Sequence, residues 1–187
     1  MIISRIIFYI GIFVWLLPPF RQKSTRYFIY FLLLAVSDPT FFLINWIHQI
    51  NSPSYYLILS TLLLISLIRK KYALFLLIIP AGFIIYHANL DLQLINFLLH
   101  FSILLYFLKD LIVSTSEKSK IVIYNLILVM YEVSLMTKFA ASYFFRAGYL
   151  FYDISSAFEI LIAIFFVIYN DKNSPEIKIQ MEPREIN

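Results

Sequence analysis

Six ionisable side chains stand inside or beside long apolar runs, where such groups are rare: Asp38 in Ser37-Asp38-Pro39, His100, Glu132, Lys138, Asp153 and Glu159. A charge at the centre of a bilayer costs about 2.5–3.5 kcal/mol on insertion scales, so each needs a partner, a neutral form or contact with water. The same constraint suits these groups to holding a proton or a ligand. Asp38, His100, Glu132 and Glu159 fall midway along their apolar runs, and Lys138 lies in the outer third of its own.

Spacing predicts some of their partners. Arg146 to Gly148 forms a tight turn, which makes the runs on either side antiparallel neighbours and sets Lys138 opposite residues near 157. At 1.5 Å per residue, Asp153 and Glu159 each lie about one turn from that level. An ion pair between Lys138 and one of them is expected, leaving the other carboxylate free to take a proton. Glu132 is six positions from Lys138, about 120° around the helix, so it is a poor partner for that cation. It is expected to serve as a hydrogen-bonding neutral acid or as a proton acceptor.

The remaining polar positions allow two readings each. Asp38-Pro39 predicts a kink that frees carbonyls near residue 35, either packed and locally bonded or opened toward a cation or proton. His100 is expected to bond a neighbour, since no second His lies at helical ligand spacing. Tyr152, Ser156, Glu159 and Ala163 recur at helical spacing, as a packing stripe or a cavity wall.

Much chemistry is excluded. The chain has no cysteine, which removes disulfides, thiolate metal sites and thiol nucleophiles. Its three glycines cannot build phosphate-cradling loops. The zinc motif H-E-x-x-H and the nucleophile motif G-x-S-x-G do not occur. No cofactor and no metal are expected, and enzymatic activity is not favoured.

The elements that must position these residues follow from composition. With 61% hydrophobic and 14% charged residues, and a mean hydropathy of +0.83, the chain needs lipid as its solvent. Apolar runs at 2–20, 27–48, 53–69, 72–88, 91–109, 121–145 and 149–169 predict an all-α, polytopic bundle of seven spans over residues 1–170. The uninterrupted apolar stretch of the third run, Tyr55 to Ile68, is short, which keeps six spans as an alternative. Residues 171–187 are expected to be a polar, disordered tail.

Four groups of basic residues alternate with the spans: Arg21, Lys23 and Arg26; Arg69, Lys70 and Lys71; Lys109, Lys118 and Lys120; Lys172, Lys178 and Arg184. That alternation predicts an outside N-terminus and a cytoplasmic C-terminus, in a multi-pass protein of a bacterial cytoplasmic membrane. The net charge of +4 is explained by topology and contact with anionic lipids, and no nucleic acid partner is expected. The expected function is proton-linked transport or ligand sensing at a mid-membrane polar site. An accessory subunit bound to a membrane protein partner is the alternative, and a lipid-modifying enzyme the third.

Overall fold

The computed structural model describes residues 2–48, 52–68, 92–145 and 148–178. Apolar residues on every side, with few glycines to interrupt them, favour helix throughout. The helices are α1 (Ile2–Trp15), α2 (Pro18–Gln22), α3 (Phe28–His48), α4 (Ser52–Leu67), α5 (Leu92–Lys118), α6 (Ile123–Ala140) and α7 (Tyr149–Ile168). Pro18 and Pro19 separate α1 from α2 because neither ring nitrogen can donate to the preceding turn, and both suit the first turn of the new helix. A wider turn at Ala141–Phe145 ends α6.

Five segments are long and apolar enough to cross a membrane: Ile3–Gln22, Phe28–Ile47, Leu92–Glu117, Ile123–Phe144 and Tyr149–Ile168. The shorter Pro53–Leu67 is apolar too, and the 16 residues of α4 reach about 24 Å. The expected span at 72–88 lies outside the described residues.

The helices close into a ring. Following neighbours around it, α3 packs on α4, α4 on α5, α5 on α6, α6 on α7, α7 on α1, and α1 on α3. Side-chain bonds set their directions. Ser4 on α1 bonds Asp153 on α7, and Gln22 bonds Phe166 and Tyr169, so α1 and α7 run parallel. Asn96 bonds the Pro53 carbonyl and Ser60 contacts His100, so α4 and α5 also run parallel.

Several polar groups are enclosed with the apolar core, and large apolar side chains also cover the outside. Asn96, His100, Glu132 and Glu159 are buried beside residues such as Leu63 and Ile103, while Phe20, Trp46 and Leu150 are more than 70% exposed. An apolar outer surface of this kind is what a lipid solvent favours.

One correction to the sequence expectations concerns the strand pairing. The chain is not wholly α, because β1 (Lys120–Val122) pairs antiparallel with β2 (Glu176–Lys178). The tail expected to be disordered is therefore held over 176–178, helped by Ile123 N–H donating to the Pro175 carbonyl and by the Lys120–Glu176 ion pair. At Pro39, where a kink is expected, α3 continues as one helix from Phe28 to His48, so the freed-helix reading is not met. The Ser37 hydroxyl donates to the Leu34 carbonyl, and the Tyr55 hydroxyl donates to that of Ser37, so hydroxyls engage carbonyls beside the proline.

The strand end of the bundle is sealed. Tyr27, Tyr30, Phe31, Phe107, Tyr124 and Phe166 are at most 1% exposed and pack edge to face or tilted. Below them Gln22 donates to the carbonyls of Phe166 and Tyr169, both at 2.8 Å, and accepts from the Tyr124 hydroxyl at 3.0 Å. Asp110 accepts from both Arg26 and Tyr27. Burial pushes the Tyr27 phenol up, and its bond to Asp110 adds to that, so it stays a neutral donor.

Candidate functional site

Above the aromatic seal, the ring encloses a cavity of about 360 Å³. All six long helices line it. Its walls extend from Trp15, Leu63, His100 and Tyr131, midway along the bundle, to Pro53, Gln93 and Ser142 at the end opposite the strands. A cavity of this size and mixed lining suits a small molecule.

Of the six residues singled out from the sequence, four converge here. Asp38, His100, Lys138 and Glu159 line the cavity, and Glu132 lies behind His100, fully enclosed. Asp153 stays apart: its carboxylate accepts from Ser4 at 2.9 Å and ties α7 to α1. The stripe on α7 also resolves, since Tyr152 and Glu159 face the cavity, Ser156 meets Lys138, and Ala163 is buried.

The first polar group within the site joins α6 to α7. Lys138 Nζ donates to Glu159 Oε2 at 2.6 Å and to Ser156 Oγ at 3.1 Å, and Ser134 donates to Glu159 Oε1 at 3.1 Å. This is one of the two ion pairs anticipated from the turn at Arg146 to Gly148. Asp38 approaches from α3 and feels the Lys138 charge through space, but makes no hydrogen bond or ion pair among the described residues.

The second group forms a chain of hydrogen bonds at the cavity floor. Tyr30 donates its hydroxyl to Glu132 Oε1, Glu132 Oε2 lies 2.9 Å from His100 Nδ1, and His100 Nε2 lies 3.0 Å from Ser60 Oγ. The Ser60 hydroxyl donates to the Tyr56 carbonyl at 2.7 Å, the preceding turn of its own helix. Ser60 Oγ also lies 3.3 Å from Asn96 Oδ1, so groups from α4 and α5 meet at this hydroxyl. The Tyr30 hydroxyl and the Phe139 ring pack beside the Glu132–His100 pair.

Ser60, His100 and Glu132 follow the atom order of a Ser–His–carboxylate triad, but the serine is not presented as a nucleophile. It is 1% exposed, its proton is held by a carbonyl, and it lies behind the cavity wall. The arrangement is a buried chain of hydrogen bonds with one end, His100, at the cavity. Among the described residues, no group of three or more His, Asp or Glu side chains could hold a metal ion.

Sequence reasoning missed Tyr30, Ser60 and Asn96. Asn96 carried a signal, standing one turn before His100 on the same helical face. Tyr30 carried none beyond being a tyrosine inside an apolar run, and its contact with Glu132 spans 102 residues.

No protein-family model matches this chain, and neither a curated protein nor a solved structure is significantly similar to it.

Proposed function

We propose that this protein is a proton-linked transporter of a small solute, with seven spans, its N-terminus outside and its C-terminus in the cytoplasm. The observation that carries the reading is a cavity into which Asp38, His100, Lys138 and Glu159 converge, with a buried hydrogen-bond relay at its floor and an aromatic seal beyond it. A site reached from one side and closed on the other suits one state of alternating access.

The topology has its own support. Helices α4 and α5 run parallel, so the chain leaves α4 at the strand end and enters α5 at the other, which favours one further crossing between them. Arg21, Arg26 and Lys120 share the strand end, and the retention of basic residues on the inner side supports a cytoplasmic position for that end. The cavity then faces outward.

In this reading the His100–Glu132 pair carries the coupled proton, while Lys138 and Glu159 set the charge of the solute site. Solute binding and the shared proton are then linked reciprocally, each changing the affinity of the other.

The test is thermal stability of the purified protein against a metabolite library across pH, with Glu132→Gln and Glu159→Gln alongside wild type. Stabilisation that depends on pH in wild type and loses that dependence in Glu132→Gln is the expected result. A ligand response with the same pH dependence in all three proteins overturns the proton role of Glu132. No ligand response, with both variants less stable than wild type, makes the carboxylates structural and favours an accessory subunit. A second reading, hydrolysis at a membrane, rests on the Ser60–His100–Glu132 order alone; covalent labelling of Ser60 by a fluorophosphonate would establish it.

A further inference from the structure

Among the described residues, the cavity wall holds two carboxylates and one ammonium, and their contacts are unequal. Glu159 is matched by Lys138 at 2.6 Å and by Ser134 at 3.1 Å. Asp38 has no such bond among the described residues, although it lines the same cavity. With Glu159 and Lys138 matched, ionised Asp38 leaves the wall one negative charge in excess, and a carboxylate in such surroundings favours a cation beside it.

The surfaces around Asp38 narrow the kind of cation. Trp15, Tyr56, Tyr131, Phe139 and Tyr152 supply aromatic walls to this cavity, and aromatic faces attract ammonium groups. A bare metal ion is a poorer fit, because it wants several oxygen ligands close together and no such acidic cluster stands among the described residues. A volume of about 360 Å³ also leaves room for a carbon body that an inorganic ion lacks.

Resting on the transport reading above, we infer that the solute is an organic ammonium cation with an apolar body, its charge held against Asp38 and its body against the aromatic walls. Lys138, kept by Glu159 and Ser156, repels a cation that approaches too near and directs it toward α3.

Trp15 lies in the wall and Trp46 is exposed on the lipid side, so Trp46→Phe leaves a single fluorescent reporter in the cavity. The full-length Trp46→Phe protein in lipid nanodiscs is titrated with benzyltrimethylammonium, its neutral isostere neopentylbenzene, benzoate and phenylalanine. A saturable change of Trp15 emission with benzyltrimethylammonium is expected, weakened at least tenfold by Asp38→Asn and partly restored by Asp38→Glu. Benzoate and neopentylbenzene should give no saturable change at the same concentrations.

Equal binding of the cation by wild type and Asp38→Asn overturns the inference, provided the variant melts as wild type does. Preference for benzoate or phenylalanine overturns it too and points to Lys138 as the anchor, while leaving the transport reading intact. If the cation binds but the response to pH is unchanged by Glu132→Gln, the ligand class stands and the proton coupling fails. If none of the four probes alters Trp15 emission, the proposed cation site is refuted; the metabolite screen then decides the transport reading separately.

Discussion

The two ends of the bundle handle polar groups in opposite ways. At the strand end, Gln22 makes three hydrogen bonds through its side chain and Asp110 accepts from both Arg26 and Tyr27, all beneath a layer of close-packed rings. Toward the other end, Asp38 lines a cavity without a hydrogen bond among the described residues, and Lys138 is held near a second carboxylate that it does not touch. One end is arranged as a stable closure. The other keeps polar capacity unused, as binding sites do at some expense of stability. The Glu132–His100 pair lies at the boundary between them.

That contrast can be broken by substitution, and the largest effect belongs to the boundary. Glu132→Leu strips Tyr30 and His100 of their acceptor inside the seal, and breaking such a buried pair should destabilise the protein by about 3–5 kcal/mol. Equilibrium unfolding in mixed detergent micelles measures it, and a loss below about 1 kcal/mol would show that the relay contributes little to folding. Glu132→Gln keeps an oxygen for one partner and should lose much less.

Next is the closure itself. Gln22→Leu leaves two carbonyls and the Tyr124 hydroxyl unsatisfied, for about 2 kcal/mol by the same measurement. It should also speed amide hydrogen exchange at the strand end more than at the cavity end. Exchange that rises equally at both ends would remove the distinction between them.

Lys120→Met separates the well-connected part of the strand end from its exposed rim. Its ion pair with Glu176 is partly solvated, so the change should stay within about 0.5 kcal/mol and shrink as salt is added. The smallest effect is reserved for Asp38→Asn. Because this carboxylate forms no hydrogen bond among the described residues, the melting temperature should stay level or rise slightly. A clear drop would mean that Asp38 belongs to the scaffold.

Part of this arrangement is legible in the residues alone. Apolar runs marked the helices, including the short one that became α4, and the antiparallel register expected of the runs on either side of Gly148 anticipated Lys138 within reach of Glu159. The polar tail was misread over 176–178, since a three-residue strand of mixed polarity has no pattern to distinguish it from a loop. His100 was expected to bond a neighbour, but the sequence did not name Glu132, which lies 32 residues away on another helix.

The sequence by itself determined which segments prefer lipid, which residues cannot rest there unaccompanied, and which neighbours a tight turn brings together. Those are local properties, set by hydropathy, helical rise and short loops. Only the tertiary structure decided that His100, Glu132, Tyr30 and Ser60 form one chain, that Asp38 shares a cavity with Lys138, and that Asp153 does not. The reason is physical: helices apolar on nearly every side carry little record of which face turns inward. Their rotations are settled by packing between segments far apart in the chain, where all the helices must satisfy their few polar groups at once.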